Sequence, residues 1–134
     1  MTINELRSLM KTNELEERVI DFAVLIIGIV EHVKNNYVGN YYGNQLIRSS
    51  GSPALNYGEA RSAESHKDFV HKMGICLKEF RESYNCLKII NKAKLYNGNQ
   101  ETIKKALDEN NQLISIFVAS IKTSKNNNSN LKNR

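Results

Sequence analysis

Residues 48–65, "RSSGSPALNYGEARSAES", decide how this chain folds, because they set Gly51 and Pro53 between segments that otherwise show helical spacing. The stretch is a loop, a helix start or a helix carried through a proline. As a helix it would align Ile47, Gly51, Ala54, Leu55, Gly58 and Ser62 along one side. Such mostly small residues let a neighbouring helix approach closely, at a cost of roughly 1 kcal/mol for each glycine. Pro53 opposes that reading, since it removes one helical donor and clashes with the carbonyl of Ser49. Local physics prefers a restart, with Ser52 as the cap and Pro53 in the first turn.

On either side of this stretch apolar residues recur at three- and four-residue spacing, and strand-like alternation is absent. The expected fold is all-α, an up-down antiparallel four-helix bundle. Asn13 is the expected first cap, with Glu16 reaching back from the third helical position. The first core stripe is then Leu15, Val19, Phe22, Ile26, Ile29, Val30 and Val33. The polar piece "KNNYVGNYYG" ends that helix, and a second starts near Tyr41. Ser65 caps the third helix, with Asp68 completing a capping box, and the helix runs to about Lys92. "YNGNQ", residues 96–100, is a turn. A fourth helix follows with Ile103, Leu107, Ile114, Phe117 and Ile121 facing inward.

The chain's 134 residues, 40% of them hydrophobic, suit one domain whose core needs neither disulfides nor metal. Residues 1–12 read as an N-terminal extension, 13–124 as the bundle and 125–134 as a disordered basic tail. From Lys122 onward, "KTSKNNNSNLKNR" carries four cations and no acid, too polar to pack. A formal charge of +5 and a pI near 9.2 favour polyanionic or acidic partners. Cys76 and Cys86 would lie roughly 15 Å apart on one helix and cannot pair. Reduced thiols, with no apolar signal at the N-terminus, point to the cytoplasm. The run "FAVLIIGIV", closed by Asp21 and Glu31, is about half of the roughly 20 residues that span a bilayer.

Two helices carry more than a core face. On the first, Ile20, Val24 and Ile27 form a second apolar stripe, explained either by deeper burial in the monomer or by self-association. The third helix sorts into three arcs at about 100° per residue. Phe69, Met73, Cys76, Leu77, Phe80, Tyr84 and Leu87 make the core arc. Asp68, Glu79 and Glu82 make a second, on which Glu79 and Glu82 are placed to pair with Lys72 or a partner helix. Lys67, His71, Gly74, Lys78, Arg81, Asn85, Lys88 and Lys92 make the third, uninterrupted by acid. Such a stripe is either an ordinary solvated face or the footprint of a phosphate-binding surface. Tyr37, Tyr41 and Tyr42 stand beside a helix start, where they pack or stack on unpaired bases.

Catalytic patterns are sparse. His66 and His71 are five apart and do not share a helix face as metal ligands, and neither cysteine has a metal-site partner. A di-iron bundle site needs Glu-x-x-His, which does not occur, and no phosphate loop or nucleophile elbow is present. The reading is a non-enzyme without cofactor or metal.

The segment from Ser52 to Ile90 resembles the signature of the bacterial four-helix-bundle proteins, also known as ribosomal-RNA intervening-sequence proteins. The matching positions are Arg48, Ser52, Asn56, Glu59, Ala63, Glu64, Ser65, Asp68, Phe69, Lys78, Glu79, Glu82 and Leu87. Cys86 departs from the pattern, which commonly has Trp there. The resemblance extends more loosely from about Leu15 to Lys122. It implies a ring-shaped homopentamer of four-helix bundles, with nucleic-acid binding through basic surfaces and no catalysis. It also makes the chain similar to the accessory variability protein of diversity-generating retroelements.

With that family in view, the expected ligand is RNA or DNA backbone, bound through Lys67, His71, Lys78, Arg81, Lys88 and Lys92. Arg48, Arg61 and the basic tail would assist. The alternative is a structural adaptor whose oligomer presents one face to a protein partner such as a reverse transcriptase. The resemblance also replaces the restart with a single second helix, kinked or loosened near Ser52. That helix would carry Asn56 and Glu59 inward as a polar pair, bonded across to a neighbouring helix or subunit.

Overall fold

Caps and stops in the sequence set four helices, which the computed structural model describes over residues 3–132, with side chains over residues 14–127. They are α1 (Ile3–Val30), α2 (Tyr37–Arg61), α3 (His66–Lys92) and α4 (Gln100–Lys132). Asn36 caps α2, its side chain accepting from the Gly39 amide at 2.8 Å. Gly39 has to be glycine, since a Cβ there would run into the Lys34 carbonyl. Ser65 caps α3 by accepting from the Asp68 amide at 3.1 Å. Asn99 starts α4, its side chain accepting from the Glu101 amide at 2.8 Å.

The end of α3 is a Schellman stop built without glycine. The Leu95 amide donates to the Ile90 carbonyl and the Lys94 amide to the Asn91 carbonyl, while Lys94 takes the left-handed conformation at φ 57°. Leu95 and Ile90 are both buried, the apolar contact that accompanies this motif.

Each helix lies against its chain neighbours and α4 closes back on α1, while the diagonal pairs α1–α3 and α2–α4 meet only through core side chains. This is the all-α four-helix bundle that the spacing predicts. The α1–α2 and α3–α4 loops clasp each other at one end. There the Lys34 amide donates to the Leu95 carbonyl and the Asn97 amide to the His32 carbonyl, both at 2.8 Å. At the other end His66 Nδ1 lies 3.2 Å from Ser124 Oγ.

One aromatic from every helix meets in the core. Phe80 of α3 packs on Phe22 of α1 at 6.0 Å and on Phe117 of α4 at 5.0 Å, and Phe117 meets Tyr57 of α2 at 5.6 Å. Tilted and edge-to-face pairs of this kind add to what their burial contributes. Val19, Phe22, Ile26 and Ile29 fill the α1 side as the sequence predicts, and Ile103 and Phe117 the α4 side.

Several expectations are corrected. The first helix begins at Ile3, so Asn13 lies inside α1 instead of capping it, and Glu16 pairs with Arg61. "NELRSLMK" carries good helix formers, and extending a helix is cheaper than starting one. The backbone of the expected tail likewise continues as helix to Lys132, by elongation of α4 and against the low helix propensity of its asparagines. Residues 1, 2, 133 and 134 lie outside the described residues. The second helix starts at Tyr37, four residues before Tyr41, because Asn36 and Gly39 make a better cap.

The opening stretch is neither a loop nor a restart. α2 runs unbroken through Pro53, and its packed side is Leu46, Ser49, Ser50, Pro53, Tyr57 and Ala60. The side predicted to pack lies elsewhere: Leu55 is 81% exposed, and a Cβ on Gly51 would meet nothing. Within this chain Asn56 and Glu59 do not form an inward pair. Glu59 is exposed, and the Asn56 amide donates to Ser52 Oγ on its own helix at 3.0 Å. The polar groups that α2 does bury are serines, with the Ser83 hydroxyl of α3 donating to Ser49 Oγ at 2.9 Å.

Candidate nucleic-acid interface

The third arc of α3 forms a ridge on the outside of the bundle. Lys67, His71, Lys78, Arg81, Asn85, Lys88 and Lys92 are all exposed. The core arc alongside them fixes the direction of the ridge, since Met73, Cys76, Phe80 and Leu87 are buried on the opposite side of the helix.

What happens to the carboxylates of α3 decides the sign of this face. Three acids lie on the helix, and each has a cationic partner. Asp68 pairs with Lys72 at 3.2 Å, whereas Glu79 and Glu82 both bind Arg48 of α2, the former at 3.0 Å. Hydrogen bonding to Glu82, above all, holds the Arg48 guanidinium above its ordinary pKa, so the pair stays ionised. Lys67, Lys78, Arg81, Lys88 and Lys92 have no ion pair with a described residue. Lys88 Nζ sits 5.6 Å from the centre of the Tyr84 ring, a cation–π contact that leaves its charge outward.

The two cations expected to assist the ridge do other work. Arg48 is the clamp on Glu79 and Glu82, and Arg61 pairs with Glu16 of α1. Both tie α2 to a neighbour. Of the two partners expected for Glu79 and Glu82, it is the neighbouring helix that supplies the cation, while Lys72 reaches Asp68 one turn back. Asp68 therefore completes no capping box through its side chain. Of the remaining motif positions, Glu64 is exposed beside the Ser65 cap.

Two grooves flank the ridge. Toward α4, a cleft of about 370 Å³ is lined by Leu77, Arg81, Val118, Ile121, Lys122 and Lys125, so two lysines of the expected basic tail stand beside Arg81. Toward α2, a cleft of about 460 Å³ brings Tyr41 and Tyr42 beside Lys78 and Asn85, with Cys86 and Ile89. Sequence reasoning placed the tyrosines near a helix start and missed that they share a wall with the ridge. Tyr41 and Arg48 are seven residues apart on one helix face, but only the pairing of Arg48 with α3 places that face against the ridge.

Other chemistry has little to work with. Burial pushes the Cys76 thiol up to about 11 and raises Cys86, so both stay protonated at neutral pH. Among the described residues, no three His, Cys, Asp or Glu side chains gather to hold a metal, and no helix is long and apolar enough to cross a membrane. On α1, Ile20, Val24 and Ile27 are 37%, 60% and 50% exposed, which leaves the second stripe uncovered within one chain.

Comparisons with known proteins agree with this architecture. Residues 11–118 match a family model described as 23S rRNA-intervening sequence protein. The chain is also similar to a crystal structure of a protein with unknown function from the S23 ribosomal protein family of Bacteroides thetaiotaomicron. That similarity has 25% identity and a TM-score of 0.73, and it covers 84% of this chain and 98% of the other. No curated protein matches the sequence.

Proposed function

The chain belongs to the 23S rRNA-intervening sequence protein family, and on that premise we propose that it is a non-enzymatic, cytoplasmic oligomer that binds the backbone of RNA or DNA through the α3 ridge. The observation that carries this reading is the pairing of every α3 carboxylate, which leaves five exposed cations along one side of a helix. Cations of the ridge would displace counterions from the phosphates of the nucleic acid, a driving force indifferent to base sequence.

Oligomerisation is supported by the uncovered α1 stripe, since apolar rows of this kind are commonly buried against another chain. The assembly we propose is the ring-shaped homopentamer of the family resemblance. Because α1 lies diagonal to α3, the stripe Ile20, Val24 and Ile27 and the ridge are on opposite sides of the chain, and the proposed ring keeps the ridges exposed. Several ridges on one particle would raise avidity for a long polyanion.

The test is titration of labelled RNA and DNA strands of unrelated sequence at increasing salt. Affinity is expected to fall steeply with salt, and Lys78→Glu with Lys88→Glu to weaken every sequence about equally. Salt-insensitive binding, or none at low salt, contradicts the reading. Recovery of one protein partner that survives nuclease treatment would favour the adaptor reading instead.

A further inference from the structure

Building on the backbone-binding reading, we infer that the cleft between α2 and α3 takes an unpaired base, so that the ligand is single-stranded nucleic acid. The cleft has the size of a small-molecule site, about 460 Å³. Tyr41 is 52% exposed at its wall and meets Tyr42 edge-to-face, the rings 5.1 Å apart and perpendicular. Tyr42 packs against the core and holds Tyr41 in place without stacking on it. A perpendicular neighbour leaves a ring face of Tyr41 free for a base.

The polar groups of the cleft suit the same occupant. Lys78 belongs to both the ridge and the cleft wall, so a phosphate on Lys78 brings the attached base to Tyr41. Asn85 presents an amide that can donate to or accept from base edges, and Gln45, whose Oε1 accepts from Arg48, presents a donor, which fits a site tolerant of several bases. Glu82 also lines the cleft, and Arg48, the one cation that it shares with Glu79, offsets part of its charge. Cys86, a small side chain, leaves space where a larger one would fill it. A duplex could lie on the ridge, but its bases are already stacked and cannot enter without unpairing.

Fluorescence anisotropy with a labelled oligothymidine, an abasic strand of equal length and a duplex of equal length tests the inference. The oligothymidine is expected to bind about fivefold or more tightly than the abasic strand, the effect of at least one stacked base. Tyr41→Ala and Cys86→Trp, which fills the cleft, should each abolish that difference, whereas Tyr41→Phe should keep it. Retained binding of the abasic strand shows that a variant is folded. Equal affinity of the wild-type chain for the two strands overturns the inference, as does a preference that persists in Tyr41→Ala. If affinities are equal yet Lys78→Glu with Lys88→Glu weakens both strands, the backbone reading stands alone. If nothing binds at low salt, both readings fall.

Discussion

Lys94 holds a left-handed conformation that a side chain makes costly, and it does so to close α3 with a Schellman stop. Lys94→Gly should therefore stabilise the chain by about 0.5–1 kcal/mol, read as a higher urea midpoint. A lower midpoint would mean that the Lys94 side chain contributes something its conformation hides. The end of the helix near Lys92 was legible, but without a glycine to mark it the left-handed turn that makes the stop was not. The caps at Ser65 and the core positions Val19, Phe22, Ile26 and Ile29 were legible, because a cap and a stripe are defined by spacing along one helix. Asn110 was not. It is fully buried, its amide donates to the Phe80 carbonyl at 2.8 Å, and its Oδ1 has no partner among the described residues. Nothing along α4 distinguishes a polar residue on the core face from one beside it until α3 is docked.

At the scale of elements, α2 shows why a close-packed seam is hard to read. Its packed row, Leu46, Ser49, Ser50, Pro53, Tyr57 and Ala60, has helical spacing, but serines register as polar and proline as a breaker. The choice between adjacent rows depends on which face its neighbours cover. The α3 ridge, by contrast, follows from a single helix and was predicted residue by residue. What the sequence could not supply was the register between α2 and α3 that puts Arg48 on Glu79 and Glu82. If Arg48 acts by compensating those carboxylates, Arg48→Gln should weaken strand binding at low salt and leave its salt dependence nearly unchanged. If Arg48 instead touches phosphate, the slope of log affinity against log salt should become shallower by about one. Stability should change little, because half-exposed ion pairs contribute about 1 kcal/mol or less.

Over the described residues, two diagonal helices of the bundle differ in the charge they expose. Exposed Glu14, Glu17, Asp21 and Glu31 lie on or just after α1, while the five exposed cations of the ridge lie on α3. Length and composition could give the net charge but not this separation, which requires the helix order. The oligomer reading predicts that light scattering coupled to size exclusion returns a multiple of 15.3 kDa, and that Val24→Asp with Ile27→Asp returns a single chain. A wild-type monomer at micromolar concentration would leave the α1 stripe without the role given to it. The central claim, that the α3 ridge binds phosphate, is tested most directly by the slope of log affinity against log salt for a labelled single strand. The account predicts a slope of about −3 or steeper, as expected for five phosphate contacts, made shallower by about one to two in Lys78→Ala with Lys88→Ala. A slope near zero, or a steep one that those substitutions leave unchanged, would contradict it.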